Sequence, residues 1–146
     1  MSCLNFKIAI FDLDWTLWDG TQLYAETVQI LTNLASHGIH MYVASFHTSA
    51  QEQCKMLGID HFFTGILYGR DRPKSEMIRD IIAHHQNVLP SDIVFFDDTF
   101  ENLLEVKMAH NIKTIHVSKS DGITWRDIPK VDSASWHWTY NYVIVK

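Results

Sequence analysis

Two short apolar runs, Ile8-Ala9-Ile10-Phe11 and Ile93-Val94-Phe95-Phe96, lie far apart in the chain, and each breaks off directly into aspartates. A continuous apolar run of this length is the pattern of a strand covered on both faces, as in parallel sheets flanked by helices. Further short apolar runs follow in alternation with stretches of helical periodicity. Parallel neighbours need long crossover connections, so this alternation predicts an α/β fold built on a Rossmann-like, doubly wound parallel sheet.

Strands are expected at about 7–11, 39–44, 66–68, 93–96 and 113–117, with helices at about 22–37, 49–57, 73–86 and 101–110. The first helix would bury Val28, Leu31, Leu34 and Ala35 and stop at Gly38, and the second would open on a capping box between Ser49 and Glu52 and stop at Gly58. Pro73 suits the first turn of the third helix, which carries Met77, Ile78, Ile81, Ile82 and His85. The length, 146 residues, suits one domain, 1–146. Its tail, from about 121 to 146, is rich in Trp and Tyr, and alternation through Trp136, Trp138, Tyr140 and Tyr142 suggests an edge strand or hairpin. That tail is expected to wrap the core or to meet a partner.

A net charge of −5 with no clustered Lys or Arg gives a nucleic-acid backbone no footprint. The two cysteines, Cys3 and Cys54, are too few for a disulfide scaffold and lack metal-ligand spacing, which fits a reducing compartment. Asp12 breaks the first apolar stretch, and no run approaches the length of a membrane span. The expectation is a soluble cytoplasmic protein with neither nucleic-acid nor membrane partners.

In a doubly wound sheet, ligands collect outside the carboxyl ends of the strands, so the residues after each apolar run belong to one constellation. The first strand delivers Asp12-Leu13-Asp14-Trp15-Thr16; the second delivers Ser45; Lys74 opens a helix; the fourth strand delivers Asp97-Asp98. Paired acids near a hydroxyl can hold a divalent cation, present one oxygen as nucleophile and carry a proton on the other acid. Taken alone, D-x-D-x-T reads first as a solvated strand-to-helix turn.

The ordered set, D-x-D-x-T, then Ser, then Lys, then Asp-Asp, resembles the four motifs of the haloacid dehalogenase superfamily over about residues 7–118. Within it, FDLDWTLW and VFFDDTFENL are similar to the magnesium-dependent phosphatase group, and LDWTLWDG is also similar to the FkbH-like glyceryl-transfer proteins. The resemblance implies an HAD-like phosphatase acting on phosphate monoesters through an aspartyl-phosphate. It assigns Asp12 as nucleophile and metal ligand, Asp97 as a second ligand, and the backbone carbonyl of Asp14 as a third. Asp14 would protonate the leaving oxygen and then deprotonate water, with neighbouring carboxylates favouring the protonated form. Ser45 and Lys74 would hold the phosphoryl oxygens, Thr16 would brace the turn, and Asp98 would bind metal through water or hold Lys74. Asn102 would orient the acidic loop, or equally lie on a helix surface.

The charge balance argues independently for a cation. Carboxylates 4 Å apart repel by about 4 kcal/mol per pair at an effective dielectric near 20, before any phosphate arrives. All-oxygen ligands suit Mg²⁺, and the absence of a His or Cys cluster argues against zinc. His47 is read as an exposed loop residue; His84 and His85, being adjacent, point in different directions on a helix. Trp15 and Trp18 would pack beneath the loop or stack on a leaving group.

Each interval between Asp14, Ser45 and Lys74 is filled by a helix and its strand, which leaves no room for a cap domain. Capless relatives in the resembled superfamily take large substrates or borrow a neighbouring subunit as a lid, so a phosphoprotein or sugar phosphate and a homodimer are the partners considered. The alternatives are an FkbH-like acyl-phosphate or glyceryl transferase and a catalytically inactive HAD-like binding module. A phosphoacceptor receiver domain has the same residue types in a different order.

Overall fold

The computed structural model describes residues 2–132. In chain order the elements are β1 (Ser2–Leu4), β2 (Ile8–Phe11), α1 (Thr27–Ser36), β3 (His40–Ser45), α2 (Ala50–Met56), β4 (Gly65–Tyr68), α3 (Lys74–Ala83), β5 (Ile93–Asp97), α4 (Phe100–His110), β6 (Lys113–His116) and β7 (Lys130–Asp132). Single 3₁₀ turns lie at Asp60–Phe62, Pro90–Asp92 and Trp125–Asp127. Five strands form one parallel sheet in the order β4-β3-β2-β5-β6, and β1 pairs antiparallel with β7 in a separate ribbon.

The period of two in the strands sorts their side chains between two cores. Ala9, Phe11, Met41, Val43, Val94 and Phe96 pack with Ile30, Leu31 and Leu34 of α1 and Ala50 and Cys54 of α2. Ile8, Ile10, Tyr42, Ala44, Ile93 and Phe95 pack with Met77, Ile78 and Ile81 of α3 and Leu103 and Val106 of α4. Helices therefore cover both faces, and each fully buried large side chain contributes about 1.5–3 kcal/mol of hydrophobic stabilisation.

Several expected boundaries shift. The first helix begins at Thr27 rather than near 22, because Trp18 bridges to both Asp14 and Leu23 and holds the preceding segment as a small β-bridged loop. Its buried face is Thr27, Ile30, Leu31 and Leu34, while Val28 and Ala35 turn outward. Ser49 makes no side-chain capping bond, so the expected capping box is absent. The third helix ends at Ala83, leaving His85 beyond it. Gly38 and Gly58, at φ +74° and +75°, terminate α1 and α2 as expected, in the left-handed conformation that glycine adopts without steric cost. The ribbon of β1 and β7 has no counterpart in the sequence reading, and the Trp136–Tyr142 alternation lies outside the described residues.

The connections β2–α1–β3 and β3–α2–β4 build the sheet to one side, after which β5 returns to the other side of β2. The switch point thus lies between the carboxyl ends of β2 and β5. Among the described residues, nothing beyond loops, α1, β3, α2, one 3₁₀ turn and β4 lies between β2 and α3.

Candidate active site

Strand register alone brings the first two acids together. Phe11 of β2 lies opposite Phe96 of β5, their rings stacked 5.0 Å apart, and the Asp12 amide extends the ladder by donating to the Phe96 carbonyl at 2.9 Å. The next residues on each strand, Asp12 and Asp97, therefore stand side by side. They share the parity of Ile8, Ile10, Ile93 and Phe95, and so face the side covered by α3 and α4.

Lys74, the first residue of α3, enters from that side. Its ammonium donates to Asp12 Oδ1 at 2.8 Å and to Asp97 Oδ2 at 3.0 Å, and its side chain is wholly buried. The rings of Phe46 and Phe95 lie 4.8 and 5.7 Å from the ammonium, close enough for cation–π attraction. Burial alone would lower the lysine, but Asp12 and Asp97 outweigh it and hold it above its ordinary value. Burial likewise keeps Asp12 well above the usual carboxylate range, with Lys74 opposing and Asp97 reinforcing the shift. Asp97 is raised for the same reason, against the pull of Lys74 and the Thr99 amide.

Asp97 is held from three directions, since Thr99 N–H donates to its Oδ1 at 2.9 Å while Asn102 Nδ2 reaches Oδ2 at 3.1 Å beside Lys74. Asp98 does not hold Lys74; its Oδ2 lies 3.7 Å from Lys119 Nζ. Thr16 is buried, with its hydroxyl 3.5 Å from Asp12 Oδ2 and its carbonyl accepting the Ile123 amide at 2.9 Å. Ser45, also buried, accepts the His47 amide on its hydroxyl at 3.0 Å, and His47 Nδ1 accepts the Ser49 amide.

Asp14 has a partner that the sequence reading missed. Trp18 Nε1 donates to Asp14 Oδ1 at 2.8 Å, and Trp18 is buried in the core, whereas Trp15 is 43% exposed with φ +66°. Lys119 was missed as well. The cavity over the strand ends, about 200 Å³, is lined by Asp12, Asp14, Trp15, Ser45, Phe46, Asp98, Thr99, Asn102 and Lys119. A larger groove of about 350 Å³ lies along Tyr42, Gly65, Leu67 and Ile81, away from the acids.

One carboxylate oxygen from each of Asp12, Asp97 and Asp98 lies within 4.8 Å of the others. Lys74 offsets part of their charge, but three carboxylates against one buried ammonium leave the cluster short of positive charge. An all-oxygen set with this deficit fits a hard divalent cation such as Mg²⁺. Cys54 is no rival centre, because burial pushes its thiol up to about 12.

A haloacid dehalogenase-like hydrolase family model matches residues 16–110. The chain belongs to the haloacid dehalogenase-like hydrolases. The matched span holds Ser45, Lys74, Asp97, Asp98 and Asn102, while Asp12 and Asp14 stand just before it. Human magnesium-dependent phosphatase 1 is 26% identical over 137 residues, covering 76% of this chain and 77% of its own. The haloacid dehalogenase-like hydrolase SP0104 of Streptococcus pneumoniae superposes with a TM-score of 0.70 at 18% identity, over 81% of this chain and 87% of that one. The N-terminal part of BF1531 from Bacteroides fragilis, a phosphatase domain complexed with Mg, superposes at 0.67 with 19% identity, over 81% of this chain and 38% of that one. At these identities the two structures show that this hydrolase shares their fold.

Proposed function

We propose that this hydrolase is a magnesium-dependent phosphatase that cleaves phosphate monoesters by way of an aspartyl-phosphate on Asp12. The observation that carries the reading is the pairing of Asp12 with Asp97 across the β2–β5 switch point, bridged by the buried Lys74 and flanked by Asp98. The similarity to human magnesium-dependent phosphatase 1 supports it.

Asp12 attacks phosphorus through a carboxylate oxygen, forming an O–P bond as the ester O–P bond breaks. Asp14 gives its proton to the departing oxygen. Trp18 holds one Asp14 oxygen, which leaves the other to serve the ester. A water then attacks the phosphorus of the aspartyl-phosphate, Asp14 takes the proton, and release of inorganic phosphate restores Asp12. Ser45 and Lys74 bind the non-bridging oxygens, and Asn102 and Thr99 keep Asp97 oriented. Asp12, Asp97, the backbone carbonyl of Asp14 and, directly or through water, Asp98 would hold Mg²⁺, which when bound offsets charge on the phosphoryl oxygens and keeps Asp12 ionised. The site is open, without a cap domain, so a phosphoprotein or a sugar phosphate can reach it.

Hydrolysis of p-nitrophenyl phosphate is expected with Mg²⁺ and not after chelation, and Asp12→Asn should abolish it. Full activity in Asp12→Asn would remove Asp12 as nucleophile. Asp14→Asn should slow turnover of an alkyl phosphate by about 10²-fold or more, within the usual reach of acid–base catalysis.

A further inference from the structure

We infer that Lys119 selects phosphate esters whose leaving group carries a second anion, a carboxylate or another phosphate, within a few bonds of the ester oxygen. This rests on the phosphatase reading above and adds the class of substrate.

Lys119 follows β6 and is the one cationic side chain in the described wall of the acidic cavity. Lys74 is wholly buried, with two of its three donors on Asp12 and Asp97 and the phosphoryl group as its role, whereas the Lys119 side chain is 65% exposed and faces what lies beyond that group. Its ion pair with Asp98 is long, at 3.7 Å, and although the carboxylate is nearly buried the lysine end is in water, so its donors remain available to a substrate. Its backbone, in contrast, is fixed. The Tyr24 hydroxyl donates to the Lys119 carbonyl at 2.7 Å, Gly122 N–H to the Ser118 carbonyl at 2.8 Å, and Ile123 N–H to the Thr16 carbonyl at 2.9 Å.

That anchoring ties the loop to the turn bearing Asp14. The Lys119 ammonium lies 5.9 Å from the centre of the Trp15 ring, one residue from the proposed proton donor. A leaving group passing Asp14 therefore meets the indole face and then the ammonium. A cavity of about 200 Å³ has room for a phosphoryl group and a short chain, which sets the second anion close to the first.

The test uses the full chain with Mg²⁺ and three esters of matched length: n-propyl phosphate, 2-carboxyethyl phosphate and 1,3-propanediol bisphosphate. At least one charged ester should exceed n-propyl phosphate in kcat/KM by about tenfold or more, chiefly through KM, and the preferred one identifies the anion. Lys119→Met should reduce that ratio to within about threefold, Lys119→Arg should keep it, and Lys55→Met on the exposed face of α2 should leave it as in the parent. Equal treatment of the three esters by the parent, or an undiminished ratio in Lys119→Met, overturns the inference while hydrolysis itself stands. Failure to hydrolyse any of them, or p-nitrophenyl phosphate, overturns the phosphatase reading and this inference with it.

Discussion

At the scale of single residues, the site depends on two partners of different kinds. Trp18 sits in the core while its indole N–H fixes Asp14 at 2.8 Å, so one side chain both packs the loop and holds the proposed proton carrier. Trp18→Phe keeps most of the packing and removes the donor. Its kcat should fall by about tenfold, a fraction of what acid–base catalysis supplies, with little change in KM; a loss confined to KM would place Trp18 outside the proton step. Lys74 carries a larger structural burden. Lys74→Met leaves Asp12 and Asp97 buried without their counter-charge, and urea unfolding without Mg²⁺ at neutral pH should show a loss of about 3–5 kcal/mol. Both acids are already raised in the fold. Acids of that kind add stability below their unfolded value near 3.8 and lose it as pH rises through the folded value, so the deficit should shrink as pH falls.

At the scale of elements, strands proved more legible than the segments joining them. β2 and β5 are apolar on every residue before their acids, so burial on both faces is written into their composition. The stretch before α1 carries helical spacing, yet the bridges from Trp18 to Asp14 and Leu23 claim its backbone, and that pairing depends on Trp18 being drawn into the core. The loop after β6 is decided by packing as well. Gly122, at φ +66°, lies against the Tyr24 ring, and an added Cβ would fall 2.0 Å from a ring carbon. Gly122→Ala should therefore cost about 1–3 kcal/mol by chemical denaturation, from a left-handed backbone and displacement of Tyr24. Adding Tyr24→Ala should relieve the steric share and leave the backbone share; an additive double variant would show that the ring is not the obstacle.

At the scale of the whole molecule, α3 and α4 close over one face of the sheet while α1 and α2 close over the other, and the site forms where the winding reverses. The far side of the fold carries a separate titration. His85, just past α3, lies 2.8 Å from the Tyr42 hydroxyl and 5.2 Å from the His40 ring, and burial, with the charges of His40 and His84, lowers it from its ordinary 6.5. As pH falls through 6.5 the unfolded chain takes up this proton first, so stability contributed above that value is progressively lost below it. Thermal melts from pH 7.5 to 5 should show a shallower acid loss in His85→Gln than in the parent. Equal slopes would assign the acid sensitivity elsewhere.

The alternation of apolar runs with helical spacing determined an α/β parallel sheet, and the order of Asp12, Asp14, Ser45, Lys74 and Asp97-Asp98 marked the residues at its carboxyl rim. Both signals are local, because strand parity and the break from apolar to acidic are carried by neighbouring residues. Tertiary structure alone decided that Lys74 bridges Asp12 and Asp97, that Asp98 turns to Lys119, and that Trp18 holds Asp14. It also decided that β1 and β7, from opposite ends of the described chain, pair as a ribbon. These contacts depend on which elements the winding brings together, and on which buried charges find a partner there, quantities that no local window of sequence contains.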